Sequence, residues 1–135
     1  MTILLVLATL ASAAPASPSA PAPQRVLIAT LHGQTQVPVT TERGAAAVPF
    51  PLLAAPLGLT ATVEGCAVRV VLRDRTFEFE LDAPFVRTHG AAFPLVGAPY
   101  VARDTLFLPL HWLADFIPRL LADRYRWDPL VARLE

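Results

Sequence analysis

Val48-Pro49-Phe50-Pro51-Leu52-Leu53-Ala54 and, sixty residues further on, Leu108-Pro109-Leu110-His111-Trp112-Leu113-Ala114 share one pattern: an apolar residue and a proline open the segment, and Leu-Ala closes it. Proline sets φ near the helical value and has no N–H to lose in a first turn, so each segment reads as a strand end running into a short helix. On the N-terminal side, Thr30-Leu31-His32-Gly33 is echoed by Arg87-Thr88-His89-Gly90, each after a β-type run (Val26 to Leu31, then Phe85 to Thr88). On the C-terminal side, Thr60 to Val63, a Glu64-Gly65 turn and Ala67 to Leu72 are echoed by Tyr125 to Trp127, an Asp128-Pro129 turn and Leu130 to Leu134, with Arg69 and Arg133 at matching places. A pattern that returns at a nearly fixed offset is the mark of one unit used twice. The expected fold is α+β: two similar strand-rich β-β-α-β-β units, about 25–81 and 82–135, packed as one domain with antiparallel sheets and short helices.

Period and punctuation fill in each unit. Thr76 to Leu81 alternates, with Phe77, Phe79 and Leu81 on one face and Glu78 and Glu80 on the other, which predicts a half-buried antiparallel strand after an Arg73-Asp74-Arg75 turn. Glu78 and Glu80 have the spacing of a carboxylate pair, but Arg69 and Arg73 on the preceding strand supply cross-strand partners, so a solvated face is the simpler reading. In the second half, Leu110, Leu113, Phe116, Ile117, Leu120 and Leu121 fall at helical spacing, with Pro118 as a kink or as the seam between two short helices. The first-half counterpart, Pro51 to Leu57, is shorter, and Gly58 is placed to end it in the left-handed conformation.

Upstream of the repeat, Ile3 to Ala14 is apolar or small throughout and contains Ala11-Ser12-Ala13, small residues of the kind a signal peptidase needs. The expected organisation is therefore a signal peptide over residues 1–13, a Pro/Ala/Ser tether over 14–24 and the folded domain over 25–135. Four prolines between Pro15 and Gln24 favour extended polyproline II and leave too little apolar surface for a core. A spanning helix needs about twenty apolar residues, more than the leader offers. The uncharged stretch from Gly44 to Val63 is interrupted by Pro49, Pro51 and Pro56, so no stable membrane span is expected there either. Cys66 is the sole cysteine, has no internal disulfide partner, and is expected as a small buried apolar side chain.

Pro94-Leu95-Val96-Gly97-Ala98-Pro99-Tyr100-Val101, Asp104 at a turn, Thr105 to Leu108, Pro109, Trp112-Leu113-Ala114 and Trp127-Asp128 resemble the copper amine oxidase N-terminal-like domain, also called the stalk domain, over about residues 26 to 135. The second copy fits the pattern better than the first, whose Phe50-Pro51 and Ala55-Pro56 depart from it. The resemblance implies a non-catalytic module of the bacterial envelope, exported to the periplasm or cell envelope and often set in front of a cell-wall hydrolase, commonly an N-acetylmuramoyl-L-alanine amidase. It implies no copper, because the stalk domain carries neither the copper ligands nor the quinone-forming tyrosine of the oxidase. The zinc ligands of an attached amidase are expected beyond residue 135.

The residues themselves support no catalytic, cofactor or metal assignment. Eleven arginines and no lysine balance eleven Asp and Glu, so no basic surplus exists to hold a nucleic acid backbone. Every serine lies at Ser12, Ser17 or Ser19, outside the expected domain, which removes a serine nucleophile. His32 and His89 occupy equivalent turns and His111 begins a helix, so metal ligation is not expected; an enzyme using His89 and a carboxylate is the weakest reading. Arg119, Arg124, Tyr125, Arg126 and Trp127 form a basic and aromatic cluster suited to stacking on sugars or pairing with wall carboxylates and phosphates. The competing reading has Tyr125 and Trp127 packed inward and the arginines solvated. Two functions follow: a wall-targeting or spacer domain of a peptidoglycan amidase, with peptidoglycan as partner, or a stand-alone periplasmic interaction or scaffold domain docking another envelope protein through sheet edges.

Overall fold

The computed structural model describes residues 23–135, so the expected signal peptide and nearly all of the tether lie outside the described residues. The repeated prolines act as the sequence suggests. In the first half, β1 (Arg25–Thr30) and β2 (Gly33–Pro38) form a hairpin, β3 (Ala47–Pro49) follows, and α1 (Phe50–Leu57) begins with Pro51 in its first turn. Gly58 ends α1 at φ 66°, ψ 38°, its N–H donating to the Ala54 carbonyl, as a left-handed cap requires. Then come β4 (Leu59–Glu64), β5 (Ala67–Leu72) and β6 (Arg75–Glu80).

The second half is also strand-rich, with four strands ahead of its helical run and two short ones after it. It runs through β7 (Phe85–Thr88), β8 (Ala91–Pro94), β9 (Tyr100–Ala102) and β10 (Thr105–Pro109) into a π-helical turn (Trp112–Phe116), α2 (Ile117–Leu120), β11 (Trp127–Asp128) and β12 (Arg133–Leu134). Pro118 stands at the seam between two short helical elements, in the first turn of α2. Its ring would collide with the Ala114 carbonyl in a regular α-helix, and the chain widens just before it: the Ile117 N–H donates to Trp112 O, five residues back.

Among the described residues three sheets result, in the orders β11-β12-β1-β2, β3-β10-β9 and β4-β5-β6-β7-β8. All strand pairs are antiparallel except β1 with β12. The fold is sheet-rich α+β. The main core runs from Val26 to Leu134, with Phe77, Phe79, Leu53, Leu108, Leu113 and Ile117 buried in it, and Ala47, Tyr100 and Phe107 form a small second cluster. Trp112 is fully buried, and Phe77 and Phe79 meet its ring edge to face at 5.3 and 5.6 Å between centroids.

Four expectations need correction. Cys66 is exposed, because the two-residue turn between β4 and β5 falls on Gly65-Cys66 and turns its side chain to solvent. Arg75 belongs to β6, pairing with Leu72, so the turn is Arg73-Asp74 alone. Arg73, at φ 58°, leaves the sheet face and reaches Tyr125 instead of Glu80. The strand expected over Leu130 to Leu134 shrinks to two residues: Pro129 has no N–H, the Asp128 carboxylate accepts the Leu130 N–H at 3.0 Å, and Ala132 sits at φ 50°, all of which hold residues 129–132 in a turn.

Candidate ligand-binding cleft

Four arms of chain meet at one end of the β1–β2 hairpin: the hairpin tip, the C-terminal end of α1, the β5–β6 turn and the segment after α2. They enclose a cleft of about 560 Å3. The tip presents Leu31, fully exposed, and His32, whose backbone N–H donates to Thr30 Oγ1 at 3.2 Å. The far wall presents Tyr125, half-buried against the core, with Arg73 and Arg124 beside it.

The charges of the cleft are uneven. Arg73 Nε donates to the Tyr125 hydroxyl at 3.4 Å and makes no ion pair among the described residues. That hydroxyl, as acceptor, pushes the Arg73 pKa above its ordinary value, so the guanidinium is charged at any working pH. Arg124 comes no closer than 4.0 Å to a carboxylate, that of the adjacent Asp123. The one carboxylate on the wall, Glu135, is shared between Arg126 and Arg133 at 3.0 Å each. Two cations without a close acidic partner, next to an aromatic ring, are groups whose chemistry suits an anionic ligand with a flat or sugar-like face.

The structure divides the cluster singled out in the sequence. Arg124 and Tyr125 line this cleft, whereas Trp127 lines a separate recess with Val96, His111 and Asp115. Arg119 is held by Asp115 at 2.7 Å and Arg126 by Glu135, so neither is free for a ligand without giving up an ion pair. Both aromatic side chains pack against the core. Arg73 and His32 join the cleft from distant parts of the chain, and no local sequence signal marks them.

The other candidates are structural. The Val96 N–H donates to His111 Nδ1 at 3.1 Å, which fixes the proton on Nε2, and Nε2 donates to Asp115 Oδ2 at 3.1 Å. With both ring nitrogens occupied, the histidine straps the Leu95–Gly97 loop to the helix. His89 opens a turn with positive φ at both His89 and Gly90, and its side chain is exposed. Among the described residues no group of three His, Cys, Asp or Glu is arranged to hold a metal ion, and no helix is long and apolar enough to cross a membrane. Glu78 is paired with Arg69 at 3.2 Å and lies in register with Arg87 on its other side, while Glu80 faces Ala67. No family model, curated protein or solved structure matches the chain.

Proposed function

We propose that the chain is a non-catalytic, exported cell-envelope module of the stalk type, the wall-targeting or spacer domain of a peptidoglycan amidase, and that the Arg73–Arg124–Tyr125 cleft is where it meets the wall. The observation that carries the reading is the pair of guanidinium groups with no close acidic partner beside Tyr125. Wall polymers offer carboxylates and phosphates for arginine and sugar faces for tyrosine. The proposal also takes the domain as two copies of one unit. Its support is the β3–β10 pairing, in which Val48 lies opposite Leu108, its counterpart sixty residues on, as an axis relating two copies demands.

The test is retention of the full chain on purified, protein-free peptidoglycan across a salt series. Retention is expected, weakening as salt rises because the cations are exposed, and Arg73→Ser with Arg124→Ser should abolish it. Absence of retention at every salt concentration, or retention indifferent to both substitutions, overturns the wall-binding reading. A stand-alone periplasmic interaction domain is the second reading, and the open edge of the five-stranded sheet favours it.

A further inference from the structure

The five-stranded sheet ends on β4, Leu59-Thr60-Ala61-Thr62-Val63-Glu64. The two-residue turn Gly65-Cys66 makes Glu64–Ala67 a hydrogen-bonded pair, so by alternation Thr62–Arg69 and Thr60–Val71 are bonded across the sheet as well. The N–H and C=O groups of Leu59, Ala61 and Val63 therefore point away from the sheet, and none takes another backbone partner among the described residues. Natural edges are blunted by shortness, proline, bulges or lysine. The opposite edge, β8, has four residues and ends in Pro94, and β2 places Pro38, which has no N–H, on its open side. β4 has six residues, no proline and no cation, and its single charge, Glu64, lies at its end.

We infer that β4 pairs with β4 of a second copy of this chain. Two-fold antiparallel pairing must bring outward-bonding residues opposite one another, and centring it on Ala61 satisfies every such group from Leu59 to Val63. In that register Ala61 faces Ala61, Leu59 faces Val63 and Thr60 faces Thr62 of the second copy, while Glu64 meets Gly58. No like charges are opposed. The exposed faces form threonine–threonine pairs, and Val63, which is exposed in the single chain although its neighbour Val68 is buried, is covered by Leu59 of the other copy. The partner is a second copy rather than an arbitrary extended peptide because the strand complements itself on both faces. Two five-stranded sheets become one of ten. This inference stands apart from the wall-binding cleft, and its test does not depend on wall binding.

Sedimentation of the full chain over a concentration series tests it. The expected result is a reversible dimer of twice the 14.5 kDa chain mass. Thr60 and Thr62 are exposed, so changing them leaves the core intact. Thr60→Asp with Thr62→Asp places acid opposite acid at both threonine pairs and should leave only monomer at concentrations where the unaltered chain is dimeric. Thr60→Asp with Thr62→Arg places acid opposite base in the same register and should restore the dimer. A chain that stays monomeric throughout, or a dimer insensitive to the double aspartate, overturns the proposal. Failure of the Asp/Arg pair to restore the dimer overturns the register.

Discussion

The two proline-led segments, Val48 to Ala54 and Leu108 to Ala114, share a sequence pattern and lead into different helices. In α1 a glycine follows promptly and the helix stops at Leu57. In the second half the corresponding helical run carries on past Pro118 by widening into a π-turn. Leu53 and Leu113, sixty residues apart, are both fully buried, and Val48 and Leu108 face each other across the middle sheet. Leu52 and Trp112 hold the same place in the pattern, yet Leu52 is 43% exposed and Trp112 is sealed between Phe77 and Phe79. Leu53 and Leu113, at the same place in the shared sequence pattern, both face the core. Positions beside them depend on what the neighbouring sheet brings up: Phe77 and Phe79 of β6 close over Trp112, while Leu52 stays open to solvent.

That contrast sets the largest expected effect. Trp112→Ala should cost about 3–5 kcal/mol, as truncation of a buried aromatic does, while Leu52→Ala should stay within about 0.5 kcal/mol, as at an ordinary surface site. Urea unfolding of both variants measures the difference, and equal losses would mean that the halves bury the position alike. A smaller effect separates the helix ends. Gly58 alone ends its helix in the left-handed region, so Gly58→Ala should lower stability by about 1–2 kcal/mol, the cost of placing a Cβ there. The second helix ends at Leu121 with φ −124° and needs no glycine, so Leu121→Gly should not produce a matching gain when both variants are unfolded in urea.

The smallest effect lies at the seam. Tyr100 stacks on Phe107 at 5.0 Å between centroids, and its hydroxyl donates to Glu42 at 3.4 Å. Burial first, and then the Glu42 carboxylate, push its phenol above the ordinary value. A group whose folded pKa is raised contributes stability that is complete below its unfolded pKa and is lost as pH rises through the folded one. Stability should therefore fall as pH climbs above about 10. Tyr100→Phe should flatten that fall, as read from urea midpoints between pH 9 and 11; an unchanged slope would place the loss elsewhere.

Most elements are legible in the sequence where period and punctuation agree. Phe77 and Phe79 alternate with Glu78 and Glu80, and they form the buried and solvated faces of β6. Pro51 and Gly58 bound α1. Legibility fails where two local rules compete, as at Leu130 to Leu134, whose apolar composition reads as a strand while Pro129 and the Asp128 side chain favour a turn. The cleft is less legible than the fold. Arg124 and Tyr125 are adjacent in sequence, but Arg73 and His32 reach them only because the β5–β6 turn and the β1–β2 tip arrive at the same end of the molecule.

The sequence alone determines the repeated element, the helix starts at proline, the left-handed stop at Gly58 and the alternation of β6. All of these are local, decided by backbone sterics and by the period of apolar residues. Tertiary structure decides the rest: that β12 lies beside β1, that the arginines of the cluster divide between ion pairs and an open cleft, that Cys66 faces solvent and that β4, paired with β5 on one side, leaves its other edge open. The strand pairings join residues far apart in the chain, as Leu27 and Arg133 do, and the cleft and the open edge depend on what those pairings bring together, which no window of sequence holds.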